Sequence, residues 1–213
     1  MISIYATQNW VTIIIIFLIA FLVTLHYLYL ERFVKFVSFY KTEAYFVDYI
    51  DKKGLFYGFF NGFLFFFQLG VYALFLYLIK LQYANIDGEI AVLLNIVNIL
   101  FVFFIGRFLI GKMFSYIFGI AKIQIVLSFV KFTYLSKVAI YIFPLIIISF
   151  YLPTYKRMLL LTTIVLTIVM LLYFYGKIVL QNQKLIFHNL FYFILYLCTL
   201  EIIPLVYLYK TIF

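Results

Sequence analysis

The chain has 213 residues, of which 69% are hydrophobic, 24% aromatic and 11% charged. A soluble domain is about half apolar and about a quarter charged, so this composition excludes a soluble fold. The apolar runs are continuous rather than alternating, which predicts membrane-spanning helices and argues against a β-barrel. We therefore expect an all-α, polytopic transmembrane helix bundle, with residues 1–213 forming a single integral membrane domain.

The formal net charge is +9, from 16 Lys and Arg and 7 Asp and Glu. The basic residues stand at the ends of apolar segments, where such residues set topology and contact lipid headgroups. This distribution favours the lipid bilayer, and not nucleic acid, as a partner. The single cysteine, Cys198, excludes an intramolecular disulfide and a cysteine-based metal site. We expect no cofactor and no metal, because the sequence contains neither HExxH nor a Gly-rich phosphate loop.

A helix needs about 20 apolar residues to cross a bilayer. Six spans are predicted, at about 10–30, 54–81, 90–110, 138–152, 158–180 and 190–209. The connection 31–53 interleaves charged and apolar residues, which predicts a helix lying in the membrane interface. The segment 111–137 is apolar but punctuated by lysines, so we expect an interfacial or re-entrant helix pair there.

The predicted orientation follows from the positive-inside rule. With six spans, twelve Lys and Arg fall on the side of the two long connections and four on the other side. This places both termini in the periplasm of a bacterial inner membrane, with a mitochondrial inner membrane as the alternative. If residues 113–130 crossed separately, every later span would invert and the bias would largely vanish.

One carboxylate lies deep inside an apolar segment. Glu201 falls near the middle of the last span, where an ionised carboxylate costs roughly 2.5–3.5 kcal/mol. Pro204 has no N–H and frees the carbonyl of residue 200, so the two residues predict a polar pocket at mid-depth. Glu201 either holds the bundle together through hydrogen bonds to Gln68, Asn95 or Asn98, or carries an ion, or pairs with a partner protein.

Further polar and small residues lie in the second and third spans. Asn95 and Asn98 are three apart, on one helix face, and Arg107 follows them. They either line a polar groove, or the amides join helices while Arg107 reaches lipid phosphate. A small-residue stripe at every fourth position consists of Gly54, Gly58 and Gly62. Such a stripe favours close helix packing within the protein or the docking of a partner subunit.

The last predicted span carries the most distinctive local pattern. An aromatic-rich run leads into Tyr196, Leu197, Cys198, Thr199, Glu201, Pro204, Leu205, Tyr209 and Lys210. This pattern resembles the C-terminal segment of an uncharacterised, domain-of-unknown-function family of multi-pass inner-membrane proteins of Bacteroidota. The short length and the plan of about six spans are also similar. The resemblance implies a membrane compartment and no particular activity.

These features predict a non-enzymatic accessory or scaffold subunit of a larger inner-membrane complex, with protein export or envelope assembly as the processes considered. Its partners would be other integral membrane subunits. One alternative is an ion- or small-solute-conducting membrane protein that uses Glu201. Another is a membrane lipid-modifying enzyme, since Asp48 and Asp51 are three apart. We expect no enzyme, because no second acidic cluster accompanies them.

Overall fold

The structure is a computed structural model that describes residues 9–38, 45–46, 48–49, 58–83, 90–117, 121–152 and 155–181. This part of the chain forms six helices and no strand: α1 Asn9–Leu28, α2 Leu30–Val37, α3 Phe59–Tyr83, α4 Ile90–Ile117, α5 Ala121–Tyr151 and α6 Lys156–Gln181. All of them except α2 are long and apolar enough to cross a membrane. The predicted all-α membrane bundle is therefore confirmed, and the sixth predicted span, 190–209, lies outside the described residues.

The centre of the bundle is the helix pair α3 and α5. α3 packs against α1, α4, α5 and α6, and α5 also packs against α4 and α6. In the most apolar stretch of each helix, 56% of the residues of α3 and of α5 are buried, against 22% for α1 and α6 and 17% for α4. The two central helices therefore hold the core, and the other three spans keep most of their surface on the outside.

Helices α1 and α3 approach closely at a glycine. A methyl group on Gly70 would lie only 2.7 Å from Cδ2 of Leu18, so a larger residue there would require the Leu18 side chain to shift. Nearer the C-terminal end of α3, the rings of Trp10 and Tyr77 meet edge to face with their centroids 5.4 Å apart. These contacts fix α1 along one side of α3.

The short helix α2 is amphipathic, as predicted for the connection 31–53. Phe36 is fully buried and Phe33 and Val37 pack against the core, whereas Glu31 is exposed. Lys35 forms an ion pair with Asp48 at 2.7 Å on the outer surface. The apolar face of α2 therefore covers one end of the bundle and its charged face points outward.

The structure differs from the sequence prediction over residues 111–137. Here α4 continues to Ile117, and α5 begins at Ala121 and runs unbroken to Tyr151. No separate interfacial or re-entrant helix pair exists in the described part of this segment, and the fourth span begins well before residue 138. Lys131 and Lys137 point into the bundle, where they are 7% and 1% exposed, so their charges do not mark the end of a span.

Candidate functional site

A cavity of about 370 Å³ lies among α3, α4 and α5. It occupies the half of the bundle that carries α2, because it begins at Asn61 near the start of α3. The apolar part of its lining is Phe65, Phe104, Ile105, Phe108, Phe132 and Leu135, and the polar part is Asn61, Gln68, Arg107, Ser128 and Lys131. We call this space the α3–α4–α5 cavity. It combines a largely apolar wall with two cationic side chains.

Helical periodicity brings these polar residues together. Asn61 and Gln68 are seven residues apart and share one face of α3, while Ser128 and Lys131 are three apart on α5. Arg107 enters the cavity from α4, between Phe104 and Phe108 of the same helix. Each of the three helices therefore presents at least one polar side chain to the cavity.

A buried hydrogen bond joins the two central helices beside the cavity. The hydroxyl of Ser136 donates to Oε1 of Gln68 at 2.7 Å, and both side chains are almost completely buried. One turn further along α3, the Tyr72 hydroxyl donates to the carbonyl of Leu135 at 3.0 Å. Because unsatisfied polar groups are costly away from water, these bonds fix the register of α3 against α5.

Arg32 of α2 reaches the same end of α3. Its Nη2 donates to Oδ1 of Asn61 at 3.2 Å and to the Tyr45 hydroxyl at 3.4 Å. The guanidinium carbon also lies 4.3 Å from the ring centre of Phe60 and 4.7 Å from that of Tyr49, distances at which a cation and an aromatic face attract. Its buried Nε has no hydrogen-bond partner among the described residues. Arg32 thus joins α2 to the polar stripe of the cavity.

Two lysines of α5 are buried on either side of this region. Nζ of Lys137 donates to the carbonyl of Ser38 at 3.3 Å and lies 5.7 Å from the ring centre of Phe36. Nζ of Lys131, which lines the cavity, lies 6.0 Å from the ring centre of Tyr175 in α6. Buried cations in a membrane bundle are costly and mark functional or structural sites. Lys137 has a structural partner, the end of α2.

The ionisation of two groups outside the spans follows from their surroundings. Burial raises the pKa of the Tyr45 hydroxyl, and the nearby charge of Arg32 only partly opposes this shift. Tyr45 therefore remains neutral at physiological pH. The hydrogen bond and charge of Asp48 raise the pKa of Lys35. Asp48, one of the two carboxylates considered for an enzyme, is thus engaged by Lys35, and Asp51 lies outside the described residues.

The structure brings together two of the residues that the sequence analysis selected, since Gln68 and Arg107 both line the cavity. Asn95 and Asn98 lie elsewhere, exposed on the outer face of α4. Gly58 is 3.7 Å from Arg32 Nη1, measured from the position of an added methyl group, and no atom lies within 4 Å of such a group on Gly62. Glu201, Pro204 and Gly54 are outside the described residues.

Sequence reasoning missed Arg32, Lys131 and Lys137, because it assigned them to the interfacial connections 31–53 and 111–137. A signal was present, however. Polar residues recur at helical spacing along α5, at Ser128 and Lys131 and again at Thr133, Ser136 and Lys137. That pattern indicates an inward polar face within one continuous helix. Within the described ranges, no three His, Cys, Asp or Glu side chains come together as metal ligands.

A comparison with protein families gives one match. The family described as "Domain of unknown function (DUF4271)" matches residues 10–212. The chain belongs to this family. The match covers nearly the whole chain and not only the last predicted span. No curated protein and no solved structure matches the chain.

Proposed function

We propose that this chain is a non-enzymatic accessory or scaffold subunit that binds another integral membrane protein in a bacterial inner membrane. The observation that carries the proposal is the pair of exposed amides on α4, Asn95 and Asn98. At a rise of 1.5 Å per residue, they lie about 7.5 and 12 Å along the axis from Ile90. Both therefore fall within the apolar stretch of a candidate span.

An amide is poorly suited to a lipid-facing surface. Each carries two N–H donors and a carbonyl acceptor, and lipid tails offer no partner for them. In membranes such side chains hydrogen-bond to a neighbouring helix, which stabilises the pair by about 0.6–2 kcal/mol per bond. Two amides three residues apart present their groups to the same neighbour. This arrangement supports a docking face centred on Asn95 and Asn98.

Two exposed threonines of other spans behave differently. The hydroxyl of Thr24 on α1 donates to the carbonyl of Ala20, and that of Thr162 on α6 donates to the carbonyl of Leu159 at 2.8 Å. Each threonine thus satisfies its donor on its own helix and can face lipid. The contrast singles out α4, which is also the least buried of the candidate spans, as the surface for a partner.

The orientation follows the distribution of basic residues and is part of the proposal. The end of the bundle that α2 covers would face the cytoplasm, and both termini of the chain would face the periplasm. The identity of the partner would then decide between protein export and envelope assembly. Neither process requires catalysis by this chain, in keeping with a scaffold role.

The experiment is purification in a mild detergent with quantitative mass spectrometry of the co-purifying proteins. The wild-type chain is compared with the Asn95→Leu/Asn98→Leu variant and with Thr162→Val as a matched outward control. We expect a stoichiometric membrane partner with the wild type and the control, and about a tenfold loss in the double variant, since 1.4 kcal/mol changes an equilibrium tenfold. A solitary wild-type monomer, or a double variant that keeps its partner, would contradict the proposal.

A further inference from the structure

The α3–α4–α5 cavity opens on one side of the bundle. Between α3 and α4, the exposed residues at its edge are Gly62, Ile105 and Phe108, and we call them the mouth. No atom lies within 4 Å of a methyl group placed on Gly62, so nothing in the described chain narrows this edge. All three residues lie within candidate spans, and the mouth therefore faces the lipid.

The inner part of the cavity has the opposite character. Asn61, Gln68 and Lys131 are buried, with exposed fractions of 4%, 1% and 7%, and we call them the floor. Arg107 stands half-buried at the wall. No carboxylate among the described residues lines the cavity. A polar, cationic floor lies behind an apolar mouth.

This polarity fits one class of ligand. An anionic lipid has a compact, negatively charged headgroup and long apolar chains. Its headgroup would lie on the floor of the cavity, and its acyl chains would lie in the bilayer. Arginine binds phosphate oxygens through two parallel N–H groups, and lysine adds a compact positive charge. Basic pockets between transmembrane helices bind lipid headgroups in this way. The volume, about 370 Å³, lies within the range of small-molecule sites.

We propose that the α3–α4–α5 cavity binds the phosphate headgroup of an anionic phospholipid, with Lys131 and Arg107 as its cationic contacts and Asn61 and Gln68 as polar contacts. The acyl chains leave through the mouth between α3 and α4. A free anion from the aqueous phase fits less well, because six of the lining side chains are apolar and the open edge faces hydrocarbon. The site is separate from the amide pair on α4 and does not depend on a protein partner.

The test uses the full-length chain in detergent micelles, titrated with phosphatidylglycerol and, in a parallel arm, with phosphatidylcholine, and read by native mass spectrometry. The variants are Lys131→Gln and Arg107→Gln. Lys112→Gln is the matched control, since Lys112 is an exposed cation on α4 that does not line the cavity. We expect phosphatidylglycerol to bind at least about tenfold more tightly than phosphatidylcholine, and each cavity variant to lose about tenfold, as for a charged hydrogen bond.

A further variant protects the test against misfolding. A Cβ atom on Gly62 meets no atom within 4 Å, so we expect Gly62→Leu to fill the mouth and keep the fold while lipid binding falls by a similar factor. Equal binding of the two lipids, wild-type affinity in Lys131→Gln and Arg107→Gln, or an equal loss in Lys112→Gln would overturn the proposal. Displacement of phosphatidylglycerol by inorganic phosphate at equal concentration would also overturn it, because the ligand would then be a soluble anion.

Discussion

The buried amides of α3 and the amide pair of α4 face opposite environments. Along the central pair, Gln68 is bonded by Ser136 and Asn61 by Arg32. On α4, Asn95 and Asn98 lie on the outer surface of the bundle. The two inner amides are hydrogen-bonded within the chain, whereas the two outer amides lie exposed on the surface of the bundle. The comparison teaches that the bonded amides inside the bundle join its own helices, while the exposed amides of α4 are the ones we propose for an interaction.

The largest expected effect is on the inner side, at Arg32. Replacing Arg32 by Ala removes the donor to Asn61 and Tyr45 and the cation between the rings of Tyr49 and Phe60. We expect a loss of about 2–4 kcal/mol in the free energy of unfolding in mixed micelles. Arg32→Lys, which keeps the charge without the planar fork, should recover only part of it. An Ala variant as stable as wild type would show that α2 is not anchored here.

The second effect contrasts an inward and an outward glycine of α3. Gly70→Val would place a side chain against Leu18, 2.7 Å from the first added carbon, and overpacking of this kind costs about 1–3 kcal/mol. A Cβ atom on Gly62 meets no atom within 4 Å, so Gly62→Val should leave thermal unfolding nearly unchanged. The two melting curves, recorded by circular dichroism in the same detergent, give the comparison directly. Equal destabilisation would mean that the two faces of α3 are packed alike.

The third effect concerns the bond between Gln68 and Ser136. A double-mutant cycle with Gln68→Leu and Ser136→Ala isolates the coupling between the two side chains. We expect about 1 kcal/mol, between the average for membrane helices and the value for a buried bond in water-soluble proteins. Unfolding in mixed micelles measures it. A coupling near zero would show that apolar contacts, and not this hydrogen bond, stabilise the packing of α3 against α5.

The smallest effect on stability is expected on the outer side. Asn95→Leu and Asn98→Leu remove amides from a lipid-facing surface, so the isolated chain should change by less than about 0.5 kcal/mol or become slightly more stable. The same unfolding assay checks this, with Thr162→Val on α6 as the outward control. A clear destabilisation would indicate that the amides bond within the chain, and the contrast between inner and outer polar groups would fail.

The architecture was predictable because continuous apolar runs of about 20 residues have few physical solutions other than spanning helices. The bounds of α5 were not, because the sequence does not say whether Lys131 and Lys137 reach the interface or a buried partner. Lys131 lies near Tyr175 and Lys137 bonds to Ser38, and both of these residues are distant in the chain. The direction of a lysine side chain in an apolar segment is therefore known only when its tertiary contact is known.

The candidate site was predicted in part. Gln68 and Arg107 were selected as polar residues within apolar segments, and both line the cavity. The outward direction of Asn95 and Asn98 was not predictable, because α4 is apolar on all sides and such a helix carries no orientation signal. Gly70 was overlooked for a related reason: only the position of Leu18 in α1 distinguishes it from Gly62.

The central claim is that the outer face of α4 binds another membrane protein, and site-specific photo-crosslinking in intact membranes tests it most directly. A photoreactive residue replaces Leu94 or Val102 on α4, and Val165 or Val169 on α6, four positions that are all exposed. The account predicts one discrete product with a different protein from the α4 positions and none from the α6 positions. Crosslinking of α4 to residues 182–213 of the same chain or to a second copy, or similar products from both helices, would contradict it.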